Sequence, residues 1–183
     1  MGSGDLTRHT RGLLRDAVAR FRRVLGLSSV SLLIAGSIPA PVPSVFQFEG
    51  SARPELHRLW GESVESKAER VACLAGSIES DTVHITDVLA LEPGPSDSLG
   101  ISAGASLDTC RPPDWKGTVH THVALRDGRQ PYSLFSGADR GIMMLWWRRW
   151  REDGIFCLLY SPQEVICEIE GPRGAVLFPR SRY

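Results

Sequence analysis

Lysine is nearly missing from this chain. Of its 21 cationic residues only Lys67 and Lys116 are lysine; the rest are arginine, a bias that fits a GC-rich genome. Net charge is missing too, with Lys+Arg 21 against Asp+Glu 21. That balance argues against a dedicated nucleic-acid coat or a generally basic membrane-surface protein. No apolar run approaches the roughly 18 residues that span a bilayer. Nor is there the charged-then-apolar layout of a signal peptide, because arginines are scattered through the apolar positions of the opening segment. A cytoplasmic location with no membrane partner is expected. The four cysteines (Cys73, Cys110, Cys157, Cys167) form no CxxC pair, and three of them lie within apolar runs. Free cysteines acting as small hydrophobes are expected, not a disulfide framework or a thiolate zinc site. GxGxxG and P-loop patterns, internal repeats and low-complexity tracts are absent as well.

What is present is an ordinary globular composition, 42% hydrophobic and 23% charged over 183 residues. That suits one domain with an appended segment. The appended segment is residues 1–43. Leu6, Leu13, Leu14, Ala17, Val18, Phe21, Val24 and Leu25 recur at helical spacing, which predicts a helix over 5–25. Residues 1–26 carry six arginines against Asp5 and Asp16. Such a helix either packs on the domain with a solvated basic face or binds a partner, including a second copy in a homodimer. Val30 to Ala35 suggests a short strand, and the prolines of 36–43 an extended linker.

Residues 44–183 form the main domain. Strands are expected at 45–48, 83–91, 117–122, 155–160, 165–169 and 175–178, and helices at 53–66 and 137–152. Residues 92–114 and 123–135 read as long loops. Strands and helices do not alternate regularly, so the class is α+β.

The chemistry concentrates in His120-Thr121-His122 and Ser136-Gly137-Ala138-Asp139. On a strand, residues two apart share a face, so His120 and His122 present two imidazoles to one ion. Asp139, in the first turn of the next helix, adds an oxygen. Two histidines and a carboxylate are a catalytic zinc pattern, with the fourth position open for water. Ser136 and Asp139 also make a helix-start signal that needs no metal. The other candidates are weaker. His84 sits on an alternating strand, and His57 has no partner near it in sequence. Glu62 and Glu65 do not open an apolar run. Cys110 has only Arg111 to depress its thiol pKa. Trp146, Trp147 and Trp150 at helical spacing read as core, with one of them exposed beside arginines.

HxH, then SxxD, with Glu69 51 positions before His120, resembles the JAMM motif of the JAB/MPN metalloproteases. Glu69 opens Ala68-Glu69-Arg70-Val71-Ala72-Cys73-Leu74-Ala75-Gly76, which is similar to that family's glutamate-then-apolar-then-glycine helix. The resemblance covers roughly residues 45–170 and implies an MPN/JAB-like (cytidine-deaminase-like) fold: a curved mixed sheet flanked by helices, here with an N-terminal helical extension. It implies one Zn2+ per chain, bound by His120, His122 and Asp139. Glu69 would be the general base and then the general acid, and Ser136 would hydrogen-bond the oxyanion. Two features depart from the pattern. Val123 stands where the family usually has proline, and the 13 residues from 123 to 135 make a longer loop than usual.

The expected function is therefore a zinc-dependent isopeptidase or peptidase cleaving at the C-terminus of a ubiquitin-like or sulfur-carrier protein. The alternative is a non-catalytic MPN scaffold that binds a protein partner through the N-terminal helix. The complete set of His120, His122, Asp139 and Glu69 argues against it. A third reading, a DNA-linked member of the wider superfamily, is opposed by the zero net charge.

Overall fold

The computed structural model describes residues 43, 45–92, 103–123, 125–126, 130–131, 133–172 and 174–183. The expected helix over 5–25, the strand over 30–35 and the linker of residues 36–42 lie outside the described residues. So does the stretch 93–102 of the long loop expected over 92–114.

The elements run β1 (Val45–Phe48), α1 (Ala52–Ser66), β2 (Val71–Glu79), β3 (Thr82–Ala90), α2 (Ala103–Thr109), β4 (Gly117–Thr121), β5 (Leu125–Arg126), β6 (Gln130–Pro131), α3 (Gly137–Trp150), β7 (Gly154–Leu159), β8 (Glu164–Glu170) and β9 (Val176–Arg182). Seven strands make one sheet in the order β1-β3-β2-β4-β7-β8-β9, and β5 and β6 pair separately as a hairpin. β1 is parallel to β3 and β4 is parallel to β7; the other neighbours are antiparallel. The class is α+β with a mixed sheet. No helix among the described residues is long and apolar enough to cross a membrane.

Each face of the sheet takes its own helices. Ala52, Leu56, Leu59 and Ser63 of α1 are buried at helical spacing. The three apolar ones pack on Ala72, Leu74, Val83, Ile85, Val119, Ile155 and Leu159 of the strands. Successive strand residues point to opposite faces, so Phe156, beside Ile155, faces the other way. There it packs with Leu107 of α2 and Met143 and Trp146 of α3. β7 is buried along its whole length, which is why Gly154–Leu159 reads as an unbroken apolar run.

Three expectations need correction. The stretch that opens with Glu69 continues as strand β2, not as a helix. A short apolar run with a terminal glycine fits either element, and here pairing with β3 and β4 decides. The region before the histidines holds α2, and the loop after them holds the β5–β6 hairpin. The cysteines are not free. Cys73 pairs with Cys110 and Cys157 with Cys167. Cys157 and Cys167 are register partners on adjacent antiparallel strands, and the end of α2 brings Cys110 onto the face that Cys73 occupies. Disulfides form and persist in oxidising compartments, so the cysteines lend no support to the expected cytoplasmic location.

Gly117 opens β4 against β7. A Cβ there would lie 1.7 Å from the Ile155 carbonyl oxygen and 2.6 Å from its carbon. Backbone cannot yield as a side chain can, so Gly117→Ala should cost about 1–3 kcal/mol or more. The measurement is a denaturation midpoint well below that of the parent. An unchanged midpoint would contradict this β4–β7 approach.

Candidate metal centre

β4 ends in the middle of the sheet, and its alternation sorts the His-Thr-His triplet by face. His120 and His122 point to the α3 side, with ring centroids 5.0 Å apart. Thr121 is buried on the α1 side. The His122 N–H donates to the Leu159 carbonyl at 2.8 Å, which extends the pairing with β7 by one residue. Two imidazoles are thus offered by a backbone fixed on both sides.

The chain returns to this point at the start of α3. Ser136 is the N-cap, with its Oγ accepting from the Asp139 N–H at 3.2 Å. The Asp139 carboxylate answers by accepting from the Ser136 N–H at 2.6 Å through Oδ2. This capping box leaves Oδ1 facing His120 Nε2 at 3.4 Å. Oδ2 lies 3.9 Å from His122 Nε2. Burial works against ionising Asp139, but the His120 imidazole and the Ser136 hydroxyl and N–H outweigh it. They hold the carboxyl well below the usual carboxylate range.

Glu69 arrives from the neighbouring strand. Val71 is the register partner of His120, and the Thr121 N–H donates to the Arg70 carbonyl at 3.0 Å. Running two residues back from Val71 therefore places Glu69 beside His122, where its Oε1 lies 3.8 Å from Nε2.

The ligand atoms of His120, His122 and Asp139 lie within 4.8 Å of one another. Ligand atoms around one tetrahedral zinc, bonded at about 2.0–2.1 Å, sit about 3.3 Å apart. The decisive observation is His120 Nε2, which is buried and has no hydrogen-bond partner among the described residues. Its approach to Asp139 lacks hydrogen-bond geometry. An imidazole nitrogen left bare beside an ionised carboxylate and a second imidazole has the chemistry of a zinc ligand. The three residues fit the metal.

Sequence reasoning missed the residues that hold this centre. Ser63 Oγ donates to the Ala68 carbonyl at 2.5 Å, and Thr121 Oγ1 lies 2.5 Å from Ser63 Oγ. The Arg70 N–H donates to Thr121 Oγ1 at 2.8 Å. With the Ser63 proton committed, Thr121 donates to Ser63, and the chain of bonds ties α1, β4 and residues 68–70 together. Arg140, next to Asp139, pairs with buried Glu168 on β8 and lies 5.3 Å over the Phe135 ring, which in turn packs 5.9 Å from His120. The signal available in sequence was a threonine between two histidines, a polar residue on the apolar face.

The remaining candidates are placed elsewhere. His84 Nδ1 lies 2.6 Å from Glu49 Oε1, and His57 packs 4.8 Å from Tyr183. Glu62 is paired with Arg58, and both Glu62 and Glu65 line a cavity of 520 Å³ between α1 and the ends of β2 and β3, with Arg70 and Leu91. Cys110, in a disulfide, is no reactive thiol. Trp146 is core and Trp147 is exposed beneath Arg151.

No family model and no curated protein matches this chain. Among solved structures it is similar to the solution structure of protein DSY2949 from Desulfitobacterium hafniense. The two are 14% identical over 74% of this chain and 90% of that one, with a TM-score of 0.44.

Two outcomes are expected. The full-length protein is expected to carry one zinc per chain, and His122→Ala to lose it, by metal analysis after purification, while its circular-dichroism spectrum stays unchanged. Full occupancy in that variant would refute the ligand set. Thr121→Val keeps the shape of the side chain but strands the Arg70 N–H, so it should lower stability by about 1–3 kcal/mol in chemical denaturation while zinc still binds. Zinc loss without destabilisation would reverse that assignment.

Proposed function

We propose that the protein is a zinc-dependent isopeptidase or peptidase of the JAB/MPN type, acting at the C-terminus of a ubiquitin-like or sulfur-carrier protein. What carries the reading is Glu69, a partly exposed carboxylate 3.8 Å from His122 Nε2, beside three residues suited to hold one ion. His120, His122 and Asp139 would hold the zinc. When bound, zinc supplies a water with its pKa brought to about 7 and a Lewis acid for the scissile carbonyl.

Glu69 takes the proton of the attacking water and passes it to the leaving amine. Its carboxylate is more exposed than the three candidate ligands, which suits a group that exchanges protons with water and substrate. The Ser136 hydroxyl, whose oxygen accepts from the Asp139 N–H, would donate its proton to the oxygen that gains negative charge. An extended, glycine-ended tail suits this centre. The β5–β6 hairpin lies in the chain between His122 and Ser136, outside the main sheet, and an extended peptide can pair with such an edge.

A general base supplies rate, not metal affinity. Glu69→Gln should keep its zinc and lose about 10²–10⁴-fold in turnover of a linear ubiquitin-like fusion. Hydrolysis near the parent rate by a zinc-loaded Glu69→Gln protein would remove the role from this residue.

A further inference from the structure

α3 has a second face. Asp139, Met143, Trp146 and Trp150 fall along the side turned to the sheet, while helical geometry puts 137, 141, 144, 145 and 148 on the opposite side. That outer side is apolar and open. Met144 is 48% exposed and Leu145 47%, and Trp147, on the flank between this side and Met143, 37%. Leu134, just before the N-cap, is 57% exposed. Of the seven large hydrophobics exposed among the described residues, these are four. A Cβ built on Gly137 or Gly141 meets nothing within 4 Å, so the backbone there is bare. Apolar exposure gathered on one element marks an interaction site.

The charge around it selects the partner. Arg140 is paired with Glu168, and Arg149 with Asp108. Among the described residues Arg148 and Arg151 face no carboxylate; Arg151 lies 5.0 Å over Trp147. The patch therefore has an unneutralised cationic rim. The chain's own residues 1–26, with six arginines, repeat that sign. A second copy meeting this face with the same face would offer no carboxylate to Arg148 or Arg151.

We propose that the outer face of α3 docks the globular body of the substrate, a ubiquitin-like protein whose apolar patch is bordered by carboxylates, while its tail crosses bare Gly137 to the metal ligands. This rests on the hydrolase reading above. The reach is short: from Leu145 back to Asp139 the helix rises about 9 Å, which three extended residues span. Leu145, Met144 and Trp147 are the anchors, and the arginines set register and sign.

The test uses the zinc-loaded full chain and two probes. One is an acidic ubiquitin-fold sulfur carrier ending in Gly-Gly, fused to a reporter; the other is its last six residues fused to the same reporter. The preference for the whole carrier over the tail, as a ratio of kcat/KM, should fall at least about tenfold in Leu145→Asp and in Arg148→Glu. An unaltered ratio overturns the proposal. A binding measurement separates it from the hydrolase reading. Labelled carrier should bind the Glu69→Gln protein and lose that binding when Leu145→Asp is added, even if no fusion is ever cleaved, in which case the hydrolase reading alone fails. Carrier that does not bind, or binds both equally, overturns the docking surface. So does a concentration-dependent dimer abolished by Leu145→Asp, which would give the face to a second copy.

Discussion

The candidate metal centre depends on where β4 runs. It lies between an antiparallel neighbour, β2, and a parallel one, β7. An antiparallel neighbour enters the sheet at the end where β4 leaves it, so residues just before β2 come to lie beside residues just after β4. That is how Glu69 meets His122. A parallel neighbour cannot be reached by a tight turn; the chain must cross over, and a helix is the usual means. The crossover to β7 contains α3, whose first turn returns to the C-terminal end of β4. Two histidines, an aspartate and a glutamate spread over 71 positions of sequence are thus assembled by one strand's choice of neighbours.

Asp139 shows how little polar machinery the arrangement uses. One carboxylate oxygen completes the helix cap, and the other faces His120 Nε2, which has no hydrogen-bond partner among the described residues. An asparagine could keep the cap but would bring no charge to an ion. The cap in turn orients the carboxylate, since Oδ2 is held by the Ser136 N–H at 2.6 Å. The turn itself is secured from outside by Arg140, whose partner Glu168 is a buried carboxylate. A buried charge left unpaired is strongly destabilising, so the pair resists separation. Ligand geometry is therefore tied to the packing of α3 on β8, well away from the histidines.

Most of the domain was legible because its elements carry period. The strands at 45–48, 82–90, 117–121 and 154–182 and the helices at 52–66 and 137–150 all follow apolar patterns that survive without knowledge of the fold. The ligand set was legible for the same reason, since HxH and SxxD are local geometries. What failed was non-local. Cys157 and Cys167 become partners only when β7 and β8 take one register, and Cys73 meets Cys110 only when α2 covers β2. Val71 to Gly76 has no period at all, so its pairing could not be anticipated. The hairpin had a local signal that was passed over: a three-residue gap containing glycine separates the two short paired segments.

Ser136 marks where a structural account and a chemical one must be kept apart. Every feature of its position is explained by capping: it stands before a helix, accepts from Asp139 N–H and receives the carboxylate in return. Nothing in that geometry requires catalysis. Yet capping engages only the oxygen's acceptor side, and a hydroxyl has one proton to place. In the capped turn that proton favours the ionised Asp139 carboxylate, a role separate from the acceptance that makes the cap. Alanine would remove both functions together, whereas Ser136→Gly removes the proton at a cost of only a few tenths of a kcal/mol in cap stability. A glycine at this position therefore divides the two roles: what it leaves intact belongs to the cap, and what it loses belongs to the chemistry.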